Sequence, residues 1–185
     1  MVIGEGSEQL LLERLARGDE LAWGQVFSVH RDRIYGFCLR MMRNREEAED
    51  VSQEVFLRAV RAIGAFRGES SIKTWLHQIA HNLCLTRLAA AKKRAEHSSD
   101  LVWLSDMTDG SPSGDAAIAS GDLRNAIELA VSELDPVFRE ALLLREVEDL
   151  SYEEIAAVIG ASVNTVKTRI HRARVKLQQQ LVEFR

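Results

Sequence analysis

Apolar residues recur at three- and four-residue intervals over most of the chain, and no stretch sustains the alternation a strand requires. The pattern therefore predicts helices, and the punctuation between them sets their edges. Ser7 is placed to cap a helix running to Gly18, and Asp19 to cap a long one through Met42. Asn44 with Glu47 makes a capping-box-like start for a third helix ending at Gly64, and Ser70 or Ser71 starts a fourth reaching about Lys93. Further on, residues 122–134 form a helix, and Asp135-Pro136 supplies an N-cap with proline in the first helical position. Ser151 with Glu154 is a full capping box, Gly160 is placed as a C-cap, and a last helix runs from about Val163 to Phe184. The expected fold is all-α.

Between the two helical groups lies AEHSSDLVWLSDMTDGSPSGDAAIASGD, which is rich in Ser, Gly and Asp and has no sustained period. It reads as a flexible acidic linker, so the expected organisation is a domain over 1–95, a linker over 96–121 and a second domain over 122–185. Leu101, Val102, Trp103 and Leu104 form a small apolar island within it. Charge sharpens this division. The whole chain of 185 residues carries a formal −4, which by itself speaks against a nucleic-acid binder. Yet residues 1–94 hold 15 basic and 12 acidic side chains, residues 95–122 hold six acids and no base, and residues 123–185 hold nine basic and ten acidic. Residues 67–94 have six basic side chains against Glu69 alone, and residues 164–178 have five and no acid. Two local phosphate footprints are thus hidden in an acidic total.

The C-terminal footprint sits in SYEEIAAVIGASVNTVKTRIHRARVKL. A capped helix of about two turns, a Gly-Ala-Ser turn and a longer basic helix make a helix-turn-helix. Val163, Val166, Ile170, Ala173, Leu177 and Leu181 fall within one stripe of the last helix, and Ala156 is small where the two helices would cross. The opposite face begins with Asn164, Thr165 and Thr168, followed by His171 and Arg172. Short polar side chains at a helix N-terminus, followed by arginine, suit reading base edges while cations hold phosphates.

In the third helix, Ala48, Val51, Val55, Ala59 and Ala62 line the expected core side, leaving Asp50, Gln53, Glu54, Leu57 and Arg61 opposite. A leucine ringed by charged and amide groups reads as an interface anchor. The following loop, FRGESSIKTW, gathers Phe66, Arg67, Ser70, Ser71 and Lys73, a mixture suited to an unstacked base of single-stranded nucleic acid. Ile72, Trp75, Leu76, Ile79 and Leu83 share the apolar side of the fourth helix, so Trp75 is expected to pack. His77, His81 and Cys84 fall at i, i+4 and i+7 on its polar side. That is ligand-like spacing, but HQIAH lacks a general-base Glu and nothing else in the sequence completes a site, so no metal is expected. There is no phosphate loop, nucleophile elbow or coherent catalytic set, hence neither catalysis, cofactor nor small-molecule substrate is expected. No run approaches the roughly 18 apolar residues of a spanning helix, and MVIGEGSEQLLLER lacks a signal-peptide pattern; a cytoplasmic protein without membrane insertion is expected.

Taken in order, EAEDVSQEVFLRAV, FRGESSIKTWLHQIAHNLCLTRL, the acidic linker and LSYEEIAAVIGASVNTVKTRIHRARVKL resemble the two-domain bacterial sigma factors of the extracytoplasmic-function (ECF) kind. The resemblance implies a protein that binds core RNA polymerase (the β′ coiled coil and the β subunit) and directs it to promoter DNA. It implies a polymerase contact at Asp50, Gln53, Glu54 and Leu57. It places minus-ten recognition on Phe66, Arg67, Ser70, Ser71, Lys73, Thr74 and Trp75, with Gln78, Asn82 and Arg87 further along. The minus-thirty-five element falls to Ser162, Asn164, Thr165, Thr168, Arg169 and Arg172, with Lys167 and Arg174 as phosphate contacts or structural. It further implies an anti-sigma factor as regulator, and a linker whose acids mimic nucleic acid in a basic channel. Thr86 stands where the family often has Asp, and Val60 where it often has Trp. The rival reading is a stand-alone helix-turn-helix regulator whose N-terminal unit senses or dimerises. The acidic total and the Asp50–Leu57 face favour the first.

Overall fold

The computed structural model describes residues 5–98 and 118–182, and every regular element among them is a helix. The expected linker core (residues 99–117), with its Leu101–Leu104 island, lies outside the described residues. Helix α1 spans Glu5–Ala16 and α2 Glu20–Met42. Ser7 therefore lies inside α1, two residues past its first position at Glu5, and not at the helix start expected of it. Asp19 does cap α2: its carboxylate accepts from the Leu21 and Ala22 amides at 2.9 and 3.2 Å. Arg14 Nε donates to its other oxygen at 2.7 Å, and that bond, more than the amides, holds the Asp19 carboxyl below its ordinary pKa.

Helix α3 (Arg45–Ala62) starts at Asn44, whose side chain accepts from the Glu47 amide at 2.9 Å. Ala48, Val51, Val55 and Ala59 are buried as the period requires, but Ala62 is exposed. There the helix tightens into a 3-10 turn over Ile63–Ala65, and the changed phase hands the next core position to Ile63. Helix α4 runs Ile72–Ser98, beyond the expected end near Lys93, and α5 runs Ile118–Glu133. Helices α6 (Pro136–Glu146), α7 (Tyr152–Ile159) and α8 (Val163–Gln180) complete the chain, with Asp135 capping α6 through the Val137 amide at 3.0 Å.

The two helical groups pack on each other: one apolar cluster is continuous from Leu15 through Phe37, Val55 and Leu76 to Leu144, Ile155 and Ile170, and a small second one joins Leu134, Leu142 and Ala173. Helix α4 packs against α7, and α2 against α6, so the two halves share an interface. Its largest polar element is Arg139, only 5% exposed. The guanidinium donates to the carbonyls of Met41 (3.0 Å), Leu134 (2.9 Å), Ser132 (2.6 Å) and Val131 (3.2 Å). These are C-terminal carbonyls of α2 and α5, the groups a helix leaves without an internal partner and the end a cation favours. Arg139 thus joins the end of an N-terminal helix to the start of the C-terminal half.

Candidate nucleic-acid interface

The helix-turn-helix is built by local chemistry. Ser151 Oγ accepts from the Glu154 amide at 3.1 Å while Glu154 Oε2 accepts from the Ser151 amide at 2.8 Å, closing the capping box of α7. Gly160 ends that helix at φ +62°, and its own amide and that of Ala161 both turn back to the Ala156 carbonyl. A β-carbon at Gly160 would meet nothing within 4 Å, so the demand for glycine there is conformational. Ser162 then caps α8 by accepting from the Thr165 amide at 3.1 Å. Val166, Ile170 and Ala173 are buried, with Val163, Leu177 and Leu181 half-buried on the same stripe. Opposite them Asn164, Lys167, Thr168, His171 and Arg172 are exposed, and Thr165 and Arg169 half-exposed. Thr168 gives its hydroxyl proton to the Asn164 carbonyl at 2.8 Å, which leaves its oxygen as an acceptor. Lys167 sits 5.6 Å over the Tyr152 ring, and Arg174 is tied to Glu146, the bond that chiefly raises its pKa. The positive end of α8 thereby faces solvent behind a fringe of short polar side chains.

The loop before α4 turns at Gly68, whose φ of +71° lies in the left-handed region that favours glycine. Phe66 and Trp75 stack at 4.6 Å and 27°, and Trp75 packs on the core as expected. Ser71 Oγ accepts from the Thr74 amide at 3.1 Å and lies 2.9 Å from its hydroxyl, capping α4. Ser70 is half-buried beside this turn, while Arg67, Asn82 and Arg87 are exposed. Phe66, Ser71, Thr74 and Trp75 are thus brought together; Asn82 and Arg87 lie two or three turns further along α4.

Three of the expected recognition residues are engaged by the C-terminal half: Thr74 is buried, Lys73 half-buried, and Gln78 exposed but bonded across. Lys73 donates its ammonium to the Glu148 carbonyl. Thr74, 2% exposed, gives its hydroxyl to Glu154 Oε1 at 3.1 Å, and Gln78 reaches the Ala157 carbonyl at 3.5 Å. The C-terminal half covers Thr74 and, in part, Lys73. Burial pushes the Glu154 carboxyl upward, but the Ser151 and Thr74 bonds with the nearby Lys73 charge more than reverse this, and its pKa is lowered.

The expectation that His77, His81 and Cys84 lie on a polar, solvated side is overturned: all three are buried, the two histidines against Glu140 of α6 and Glu148 of the loop after it, and Cys84 against Cys38 of α2. His77 Nδ1 lies 2.8 Å from the Lys73 carbonyl and its Nε2 3.2 Å from Glu148 Oε2, while His81 Nδ1 contacts Glu140 Oε1. The thiol of Cys84 faces Cys38, which together with burial pushes its pKa far up. Sequence reasoning missed Arg139, Glu140 and Glu148 altogether. Their signal was present: Arg139 and Glu140 precede the apolar run of 141–144 and so occupy a helix too apolar to be solvated on every side.

On α3, Asp50, Gln53 and Leu57 are exposed together, and Leu57 is 52% exposed. Glu54 is half-buried and held by Arg58 at 2.8 Å, the bond that chiefly lowers its pKa. Among the described residues no group of His, Cys, Asp and Glu is disposed to hold a metal, and no helix is long and apolar enough to cross a membrane.

Comparison with known proteins meets this geometry at both ends. The family described as "Sigma-70 region 2" matches residues 26–94, and that described as "Sigma-70, region 4" matches residues 124–177. The ECF RNA polymerase sigma factor SigW of Bacillus subtilis is 33% identical over 92% of this chain and 94% of its own. The chain belongs to the ECF sigma factors. The RNA polymerase sigma-H factor of Pseudomonas aeruginosa is likewise similar, at 34% identity over 97% of this chain and 96% of that one. The sigma factor RpoE of Bartonella quintana, solved with the anti-sigma factor NepR, shares the fold at a TM-score of 0.71 and 24% identity, covering 88% of this chain and 98% of that one. As a sigma factor, the protein serves transcription initiation. Residues 26–94 fall on α2, α3 and α4, and residues 124–177 on α5 to α8, so the family matches follow the two helical groups.

Proposed function

We propose that this sigma factor divides its work between the two halves. Residues 1–95 bind core polymerase and the minus-ten element, residues 122–185 bind the minus-thirty-five element, and residues 96–121 are the acidic tether. The observation that carries the reading is α8, which sets Asn164, Lys167, Thr168 and Arg172 on solvent opposite buried Val166, Ile170 and Ala173. In this assignment Ser162, Asn164, Thr165, Thr168, Arg169 and Arg172 address base edges and phosphates of duplex DNA, and Lys167 contributes charge. Asp50, Gln53, Glu54 and Leu57 form the polymerase contact, an exposed leucine within a charged and amide rim. Phe66, Arg67, Ser70, Ser71, Lys73, Thr74, Trp75, Gln78, Asn82 and Arg87 serve the minus-ten element once the C-terminal half has moved off α4. The protein is a binding factor without catalysis of its own, acting beside polymerase in the cytoplasm. An anti-sigma factor that masks both halves is its proposed regulator, a role for which the closely apposed halves offer a single target.

Run-off transcription with purified core polymerase tests the division of labour. Promoter-dependent initiation is expected, and Leu57→Ala should lose it in proportion to lost polymerase binding. A chain that adds no promoter-dependent product refutes the reading and favours the stand-alone regulator.

A further inference from the structure

One pattern recurs in both helical groups. Residues 82–88 read NLCLTRL and residues 164–170 read NTVKTRI: an asparagine, a threonine four residues on, then an arginine and an aliphatic residue. The two segments sit in the same phase on their helices. In α4, Asn82 and Thr86 are exposed, while Cys84 is buried and Leu88 packs on the core. In α8, Asn164 and Thr168 are exposed, while Val166 and Ile170 are buried. The threonine is oriented alike in both, giving its hydroxyl proton to the asparagine carbonyl at 2.7 Å in α4 and 2.8 Å in α8.

That bond is the local one a helical threonine makes with the carbonyl four residues back. Its consequence at the surface is chemical. With the hydrogen spent on the backbone, the oxygen that Thr86 turns to solvent can only accept. A phosphate oxygen is itself an acceptor and gives it nothing. On a base edge, an acceptor finds its partner in an exocyclic amine, N6 of adenine or N4 of cytosine. The rest of the face agrees. Residues 78–86, QIAHNLCLT, hold no Lys, Arg, Asp or Glu, and their one histidine, His81, is buried against Glu140. At about 100° per residue, Gln78, Asn82 and Thr86 fall within about 80° of one another, an uncharged polar stripe with the first cation, Arg87, on its flank.

We propose that Thr86 is a further specificity-determining residue of the minus-ten contact, its hydroxyl oxygen accepting from the exocyclic amine of an adenine or cytosine. Four residues of helix rise about 6 Å, against about 3.4 Å between successive bases of a strand, so this base lies one or two steps from the one that Asn82 meets. Guanine or thymine at that position would set a carbonyl oxygen against the threonine oxygen and leave two acceptors unpaired, which is the source of the discrimination. Unlike Thr74, Thr86 is exposed while the two halves are packed together, so its oxygen is presented without any rearrangement. The role rests on the assignment of α4 to the minus-ten element made above.

The test is transcription by core polymerase with the full chain on a template library randomised across both promoter elements, with base preference read at every position. Thr86→Val keeps the shape and the methyl group and removes the acceptor. Its preference for adenine or cytosine at one minus-ten position should fall about two- to tenfold, the worth of a single hydrogen bond, with the other positions unchanged. Thr86→Ser keeps the oxygen and should keep the preference. Thr168→Val should change a position of the upstream element only. Because Thr86 is exposed, neither substitution there disturbs the core. An unchanged profile in Thr86→Val, a loss spread evenly over all positions, or a Thr86→Ser profile matching that of Thr86→Val overturns the proposal. A parent chain that gives no promoter-dependent transcript removes the minus-ten assignment itself, whereas an active parent with an unmoved Thr86→Val profile removes only the role of this residue.

Discussion

Replacing Arg139 with methionine keeps a long apolar stem and removes every N–H that the guanidinium supplies. The magnitude follows from where its four acceptors sit. The bonds to Met41 and Leu134 are buried, whereas those to Ser132 and Val131 are partly open and can turn to water. A buried acceptor left unpaired costs about 1–3 kcal/mol, and the variant is also relieved of burying a cation, so the net loss should be about 2–4 kcal/mol. Urea unfolding of the whole chain, followed by circular dichroism and tryptophan fluorescence, reads this directly. Because Met41 belongs to the N-terminal half and the other three acceptors to the C-terminal half, the two probes should also lose their coincidence as the halves uncouple. A change below about 1 kcal/mol with coincident transitions would refute the joining role.

Leu57→Ala should weaken polymerase capture at least several-fold in pull-down while shifting stability by less than about 0.5 kcal/mol, as an exposed side chain outside the core should. Arg172→Ala should cost about 1–3 kcal/mol at the upstream element if it reads a base, seen as a loss confined to one promoter position in binding assays; a uniform loss across sequences assigns it to phosphate. Ser151→Ala removes one half of the capping box and should destabilise the chain by about 1 kcal/mol in the same urea experiment. The Glu154 carboxyl, with its lowered pKa, stabilises the closed fold above its unfolded value of about 4.5 and loses that contribution as pH falls further, so acid unfolding should begin at higher pH in Thr74→Val.

The parts of this fold that were legible in the sequence are those that local chemistry decides. Asp19, Asn44, Asp135 and Ser151 each bond the amides of their own helix, and Gly160 needs only its own backbone conformation, so spacing along the chain sufficed. The solvent face of α8 was legible too, since its apolar stripe is packed by neighbours close in sequence. What failed was the far side of α4. His77, His81 and Cys84 look like a polar flank on a helix considered alone; the arrival of α6 and the loop after it from the other end of the chain sets Glu140 and Glu148 against the two histidines, while Cys84 turns inward onto Cys38 of α2. The same long-range packing turned Thr74, and in part Lys73, from an open recognition surface into an interface, while Gln78 stays exposed beside the Ala157 carbonyl. At Ala62 the cause was smaller: a change from α to 3-10 winding that the regular period does not carry.

Whether that interface governs access to DNA can be asked with one cross-link. Gln78→Cys with Ala157→Cys, joined by a short reducible linker, would hold α4 against α7, where Gln78 and the Ala157 carbonyl already meet at 3.5 Å. The locked protein should give no promoter-dependent transcript with core polymerase, and cleaving the linker should restore the yield of the unlinked double variant. Full initiation from the locked form would contradict the account, since minus-ten recognition would then proceed with Lys73 and Thr74 still covered.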